Sequence, residues 1–245
     1  NCIYNLRRLV TSVLVQSYKN FTIHLAIDQG GSHDSYKDIE KECLEISNDP
    51  LSISPSWLTQ GNSPSCVKYW PNNDGRLYAV RNTCRILDKL SEEDSIIGVI
   101  DADDQLCERR CLEWIASLYQ QGVGCVWTNN IWEPYSINIC SGPLDDSADV
   151  YKHPWVSSHF RTFPLSIYKK INKQNFKDSE GGWMRRCEDQ TLMLPIINRL
   201  HLEGKRTMNL NKPCYLYRGY QEIGGDAHQY QQQLEKFIRN RGYIE

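Results

Sequence analysis

The stretch IIGVIDADDQL (residues 96–106) places three aspartates within four positions at the end of an apolar run. The run has the length and composition of a buried β-strand. Carboxylates so close together repel one another, so a ligand that offsets their charge is expected where the strand ends. Side chains two residues apart on a strand lie on the same face. Asp101 and Asp103 are therefore predicted to point at one ligand, with the small Ala102 between them.

These acids have two interpretations. A hard divalent cation takes oxygen ligands, often only one or two of them from the protein and the rest from phosphates and water. Alternatively, acids just before a helix cap its first turn and interact favourably with its dipole. We expect Asp104 to do this for the helix that follows. Spacing alone leaves metal or phosphate binding and helix capping open.

Apolar runs alternate with amphipathic stretches around this segment. Strand-like runs occupy residues 21–27, 66–69, 95–100 and 122–132. Helical periodicity occupies residues 5–18, 36–46, 75–90 and 111–122. This alternation predicts an α/β fold with a largely parallel sheet, in which ligands bind beyond the carboxyl ends of strands. Both DADD and the turn DQGGSHD (residues 28–34) follow such strands.

The 245 residues contain no repeat and no low-complexity linker, which predicts a single domain spanning residues 1–245. The chain opens in a helical pattern, although a nucleotide-binding sheet normally begins with a strand. We therefore expect that a first strand lies upstream of this sequence.

Composition excludes several classes of protein. The net charge of −2 gives no basic field, so we expect no nucleic-acid partner. No apolar run is long enough to cross a bilayer, and no signal peptide is apparent. The ten cysteines show no CxxC spacing, which favours reduced, mostly buried thiols over a zinc site or a disulfide framework. A cytoplasmic location follows as an expectation, with association at a membrane surface left open.

A second acidic pair, Glu188 and Asp189, begins the stretch EDQTLMLPIINRL (residues 188–200). The apolar residues that follow predict a buried helix, interrupted or begun again at Pro195. The two acids are interpreted either as caps of that helix or as a general base at its N-terminus, where a carboxylate can take a proton from an attacking hydroxyl.

Two further segments carry candidate ligand-binding residues. Arg81, in YAVRN, is interpreted as a partner of a phosphate or, as the favoured single role, of an acid in DADD. The segment HPWVSSHFRTFP (residues 153–164) mixes aromatic and polar side chains, as sugar and base sites do and as ordinary packed loops also do.

Together these stretches resemble the family 2 glycosyltransferases, which have the nucleotide-sugar-binding GT-A fold. The resemblance lies in three blocks in the family's order. SVLVQSYKNFTIHLAIDQGGSHDS (residues 12–35) is similar to its opening helix, strand and acidic turn. GRLYAVRNTC (residues 75–84) through DADD is similar to its ARN and DXD block. CEDQTL (residues 187–192) is similar to its late acidic motif, and the resemblance covers most of residues 5–195.

The resemblance implies roles for individual residues. Asp189 is implied as the catalytic base with Glu188 beside it, and Asp101 and Asp103 as the DXD acids that bind the ribose and a Mn²⁺ or Mg²⁺ on the diphosphate. Asp28 is implied to hold the nucleotide base. The remaining candidates for nucleotide, sugar or metal binding are Gly30, Ser32, Arg81, His159, Arg161, Trp183 and, as a metal ligand near the C-terminus, His228.

The expected activity is that of an inverting, metal-dependent glycosyltransferase that uses a nucleotide-diphospho sugar, UDP-linked in preference to others. Residues 1–104 would form the nucleotide half and residues 105–245 the half that binds sugar and acceptor, with Trp155, Phe160 and Trp183 shaping the latter. The family's second acid in the opening turn is Gln29 here, followed by the extra glycine Gly31. A nucleotidyltransferase and a non-catalytic nucleotide- or carbohydrate-binding relative remain the alternatives, and the acceptor is undetermined.

Overall fold

The computed structural model describes residues 2–29, 36–53, 67–133, 135–219 and 226–245. Gly30 and Ser32, which the sequence singles out, lie outside the described residues. Within them the helices are α1 Cys2–Leu14, α2 Tyr36–Asn48, α3 Tyr78–Leu87, α4 Cys111–Gln120, α5 Leu165–Lys169, α6 Glu188–Leu202 and α7 Asp226–Arg241. The strands are β1 Ile23–Ala26, β2 Val67–Trp70, β3 Ile96–Val99, β4 Gln105–Leu106, β5 Cys125–Trp132, β6 Arg161–Pro164 and β7 Thr207–Tyr217. The alternation read from the sequence is thus confirmed as a mixed α/β fold.

The expectation of a largely parallel sheet is wrong for the larger of two sheets. Its five strands have the order β3-β6-β5-β7-β4, and only the β5–β7 pair is parallel. The smaller sheet pairs β1 with β2 in parallel. The sequence pattern locates the strands, but β3 is a partly exposed edge strand and not the buried strand expected. Strand direction depends on how the connections between the strands run. Here β6 follows a long connection, residues 133–160, whereas β7 follows α6 after only four residues.

Helix α1 shows how the apolar periodicity becomes packing. Leu6, Leu9, Val10, Val13 and Leu14 lie on one face of α1, and all are buried. Leu6, Val10 and Leu14 pack with Leu25 of β1 and Val67 of β2, and Leu9 and Val13 pack against the larger sheet. Since helical side chains three and four apart share a face, α1 joins the two sheets.

Helix α6 crosses the core without the interruption expected at Pro195. Proline in a helix interior costs about 3 kcal/mol or more, because it lacks the N–H that would bond to the preceding turn. Burying one large apolar side chain contributes about 1.5–3 kcal/mol. Leu192, Met193, Leu194 and Ile196 are all fully buried around the proline, so packing outweighs the break. The buried helix holds its first residues, Glu188 and Asp189, in a fixed position.

Cysteines contribute to this packing as apolar side chains. The eight cysteines whose side chains are described are free thiols, and six of them are buried. None of the helices in the described part of the chain is both long and apolar enough to span a bilayer.

Candidate active site

The DADD segment forms a tight turn beyond β3, closed by a hydrogen bond of 3.0 Å from the Asp104 amide to the Asp101 carbonyl. Strands β3 and β4 lie at opposite edges of the five-stranded sheet, so the connection between them passes the ends of the strands that separate them. Asp103 is exposed, and the Asp101 side chain is 37% exposed. Both carboxylates are therefore accessible to a ligand at this end of the sheet.

Asp104 differs from its neighbours because it is buried, at 1% exposure. One carboxylate oxygen accepts from the Tyr215 hydroxyl at 2.8 Å, and the other accepts from the Arg218 amide at 2.7 Å. Burial raises the pKa of Asp104 to about 7, although these hydrogen bonds oppose the rise. The expected capping role is wrong: α4 begins at Cys111, and Asp104 instead fixes the end of β7 to the acidic turn.

The second acidic pair begins α6. The residue before it, Cys187, has φ of 58°, in the left-handed region that costs a non-glycine residue energy. Glu188 is largely buried and accepts from the Thr83 hydroxyl of α3 at 2.7 Å. Burial raises the pKa of Glu188 to about 7, with the charge of Arg161 acting in the opposite direction. Asp189 is only half-buried, and its Oδ1 accepts from the neighbouring Gln190 amide at 2.8 Å.

Arg161 joins the two acidic stretches. Its side chain lies in β6 and is 1% exposed. Its Nη2 is 3.5 Å from Glu188 Oε2 and 3.9 Å from Asp101 Oδ1. The charges of Asp101, Glu188 and Asp189 all raise the pKa of Arg161 against the effect of its burial. The buried positive charge of Arg161 lies between these carboxylates and offsets their repulsion of one another.

His159 lies beside this cation. Its ring stacks on Tyr215 at 4.8 Å and on Tyr217 at 5.0 Å between ring centroids. Its Nδ1 is 3.1 Å from Arg161 Nη1. Burial and the Arg161 charge lower the pKa of His159 to about 4, so the ring is neutral near pH 7.

Asp101, Asp104 and His159 form a group that could hold a metal ion, since one donor atom from each lies within 4.8 Å of the others. Two of its members already have partners, because the oxygens of Asp104 accept from Tyr215 and Arg218, and Nδ1 of His159 faces Arg161. The expected ligands Asp103 and His228 do not belong to this group among the described residues. His228 lies in α7 instead, beside Gln232 at 2.9 Å.

Asp28 lies where the sequence placed it, just beyond β1, but its carboxylate is engaged. Its two oxygens accept from the Leu77 amide at 2.6 Å and the Tyr78 amide at 2.9 Å, at the N-terminus of α3. Unpaired N–H groups at a helix start attract carboxylates. Asp28 therefore anchors α3 to β1, and a base contact would use its remaining lone pairs.

Other sequence candidates occupy different places from those expected. Arg81 is exposed on α3 and forms no ion pair among the described residues; the ion pair with DADD belongs to Arg161. Phe160 is a core residue rather than part of a sugar site, because its ring fills the space beside Gly98, 2.5 Å from where a Cβ would be. Trp183 is half-buried, with Lys177 Nζ 3.7 Å from its ring centroid.

The sequence did not predict the residues whose hydrogen bonds hold the buried acids in place: Tyr215, Arg218 and Thr83. Tyr215 also accepts at 3.1 Å from the Asp101 amide, so one hydroxyl fixes both ends of the DADD turn. A buried tyrosine usually finds a partner for its hydroxyl. The sequence could therefore indicate that a buried tyrosine hydroxyl has a hydrogen-bond partner, but not which residue that partner is.

No family model matches the chain, and no curated protein sequence matches it. Solved structures of S. aureus TarS do match. TarS superposes with a TM-score of 0.59 at 13% identity, over 100% of this chain and 39% of TarS. The chain has the fold of the part of TarS that it matches.

TarS is a glycosyltransferase. Its residues 1–349 in complex with UDP match with a TM-score of 0.58 at 12% identity, over 100% of this chain and 64% of that fragment. The complex with UDP-GlcNAc matches with a TM-score of 0.59 at 12% identity, over 98% of this chain and 65% of the fragment. This chain therefore spans less than two thirds of the TarS structures it matches, and the match extends to the fold that the family 2 resemblance implied.

Proposed function

We propose that the chain is a metal-dependent, inverting glycosyltransferase that moves a sugar from a nucleotide-diphospho sugar, UDP-linked, to an acceptor hydroxyl. The observation that carries this proposal is the meeting of the DADD turn and the start of α6 around Arg161. TarS, which shares this fold, is seen in complexes with UDP and UDP-GlcNAc, which supports a uridine-linked donor.

For a divalent cation, Asp101 together with Asp103 is a better pair of ligands than Asp101 together with Asp104 and His159. Both are accessible and made of hard oxygen donors, whereas Asp104 and His159 are held by protein partners. A bound Mn²⁺ or Mg²⁺ would offset the charge of a diphosphate. Residues 1–104 then form the nucleotide half, with Asp28 and Arg81 on it, and residues 105–245 the sugar and acceptor half.

Asp189 is the base in this proposal. Its Oδ1 accepts from Gln190, while its Oδ2 has no partner among the described residues. The oxygens of Glu188 face Thr83 and Arg161 instead. As the acceptor oxygen forms a bond to the anomeric carbon, its proton passes to Asp189. The bond from that carbon to the diphosphate breaks, and its electron pair leaves with UDP.

Ligand binding tests the proposal directly. We expect UDP-sugars with Mn²⁺ to raise the melting temperature more than GDP- or dTDP-sugars do, since a ligand at 100 times its Kd stabilises a protein by about 2.7 kcal/mol. Asp103→Ala should lose this shift, whereas Asp94→Ala, an exposed acid before β3, should keep it. An equal response of Asp103→Ala and wild type to Mn²⁺·UDP would overturn the cation assignment.

Product analysis separates the alternatives. A glycosyltransferase releases UDP, a nucleotidyltransferase consumes a nucleoside triphosphate and releases pyrophosphate, and a binding relative releases neither. Release of pyrophosphate, or binding of UDP-sugar without turnover on any acceptor hydroxyl or water, would contradict the proposal.

A further inference from the structure

Arg161 and His159 form a buried unit behind the acidic residues. Arg161 is 1% exposed and His159 is 7% exposed, so Arg161 offers almost no surface to a ligand. The Arg161 Nε has no hydrogen-bond partner among the described residues. The guanidinium therefore acts through its two terminal nitrogens, one towards the carboxylates and one towards His159.

The contact with Arg161 determines which nitrogen of His159 carries a proton. A guanidinium has five N–H donors and no acceptor. At 3.1 Å from Arg161 Nη1, His159 Nδ1 must accept the hydrogen bond and so cannot carry a proton. The proton of the neutral ring then lies on Nε2. In a doubly protonated ring, the Nδ1–H of His159 would face the N–H donor and the positive charge of Arg161.

Stacking fixes the plane of the same ring. The planes of His159 and Tyr215 differ by 10°, and those of His159 and Tyr217 by 17°. The two tyrosines are two residues apart on β7 and so share a face of that strand. Tyr215 also holds Asp101 and Asp104, so the imidazole and the acidic turn are positioned by one side chain.

We infer that Arg161 is a positioning residue that fixes His159 as a neutral hydrogen-bond donor through Nε2, so that His159 is not a cation ligand. A metal-bound imidazole needs an unprotonated nitrogen directed at the ion. The Nδ1 lone pair is directed at Arg161, whose charge repels a cation, and Nε2 carries the proton. Nε2 has no hydrogen-bond partner among the described residues, so the Nε2–H is assigned as the donor to an oxygen of the bound ligand. That this ligand is a nucleotide-sugar rests on the proposed function; the tautomer does not.

Nitrogen NMR of protein labelled with ¹⁵N-histidine tests the tautomer without substrate. The His159 signals are assigned by their loss in His159→Gln. We expect Nδ1 unprotonated and Nε2 protonated, with no direct coupling between ¹¹³Cd²⁺ and either nitrogen when cadmium is added with UDP. A protonated Nδ1, or a cadmium–nitrogen coupling at His159, would overturn the inference.

Variants of Arg161 test its positioning role. Arg161→Met should leave His159 as a mixture of tautomers, whereas Arg199→Met, which removes an arginine paired with Glu203, should leave it in the Nε2–H form. Arg161→Lys keeps a donor and should keep that form, which makes the experiment independent of whether Arg161→Met folds. A pure Nε2–H form in Arg161→Met, or a lost one in a folded Arg161→Lys, would contradict the role of Arg161.

Two amide variants test the donor at Nε2. Glutamine places its amide near the position of Nε2, and asparagine places its amide near that of Nδ1. We expect His159→Asn to lower the affinity for UDP-sugar by about tenfold or more, and His159→Gln to lower it less, because only glutamine keeps a donor near the position of Nε2. Equal affinities in both variants and wild type would exclude the donor role. A wild-type protein that binds no nucleotide-sugar would refute the proposed function while leaving the tautomer measurement intact.

Discussion

The DADD turn and the start of α6 each place a held carboxylate beside an open one. In the turn, Asp104 is buried against Tyr215 and Arg218, while Asp103 is exposed. At the helix, Glu188 is held by Thr83 and Arg161, while Asp189 is half-exposed. Burial raises the pKa of both held acids to about 7. Neighbouring acids of the same motif thus divide into one that maintains the architecture and one that is free to meet a ligand.

The largest expected effect is a fall in kcat when Asp189, the open acid of α6, is changed. Asp189→Asn is nearly isosteric and keeps an oxygen for the Gln190 amide, so stability should change little. One positioned base contributes roughly 10²–10⁴-fold in rate, so kcat for sugar transfer should fall by that factor. Donor affinity, measured by calorimetry, should stay within about a few-fold of wild type because Asp189 has no part in holding the nucleotide.

Glu188→Gln is the matched control, because the glutamine oxygen can still accept from Thr83, although its amide nitrogen then faces Arg161. It should lower kcat less than Asp189→Asn does. The reverse order of the two variants would make Glu188 the base and break the division between held and open acids.

The held acid of the turn should matter most for stability. Asp104→Ala leaves the Tyr215 hydroxyl and the Arg218 amide without their acceptor. An unsatisfied buried group costs about 1–3 kcal/mol, so urea denaturation should show a loss in that range. Asp103→Ala, at an exposed position, should change the free energy of unfolding by less than about 0.5 kcal/mol. Equal losses in the two variants would show that the neighbours are not divided as described.

At the start of α6, a variant of Thr83 tests which residues hold Glu188. Thr83→Val keeps the shape of the side chain and removes the hydroxyl that donates to Glu188 at 2.7 Å. We expect a loss of about 1 kcal/mol in the free energy of unfolding, since a net hydrogen bond contributes about 0.5–1.5 kcal/mol. Ser52→Ala, which removes an exposed hydroxyl elsewhere, should be close to neutral. An unchanged stability in Thr83→Val would mean that Arg161 alone holds Glu188.

A change of pH tests the raised pKa values of the two held acids. Asp104 and Glu188 have folded pKa values of about 7, above the unfolded values of about 3.9 and 4.3. Between pH 4 and 7 the folded chain therefore binds more protons at these groups than the unfolded chain does. Their contribution to stability is present below about pH 4 and is lost as pH rises to about 7.

Carboxylates with lowered pKa values, such as Glu203 beside Lys170 and Arg199, gain their stabilising effect as pH rises towards about 5 and change little above it. The measurement is therefore a difference in urea midpoint between wild type and the double variant Asp104→Asn/Glu188→Gln at pH 5 and pH 7.5. The variant should lose less stability than wild type over this range. A wild type that loses less than the variant would contradict the raised pKa values.

Periodicity and composition predict the α/β class and most strand and helix positions in the first 132 residues, and charge clustering indicates the two acidic stretches as the candidate site. Local patterns carry this information because burial imposes a period on strands and helices. The position of Asp28 after a strand and that of Glu188 and Asp189 at a helix start followed from the same periodicity.

Long-range packing determines which acid is held and which is open. Asp104 meets Tyr215 across 111 positions of sequence, and Thr83 meets Glu188 across 105. The sequence predicted an arginine partner for DADD but assigned it to Arg81, whereas the antiparallel pairing of β6 with β3 brings Arg161 there. A buried charge needs a partner wherever the chain can supply one, and no local pattern specifies which distant strand end supplies it.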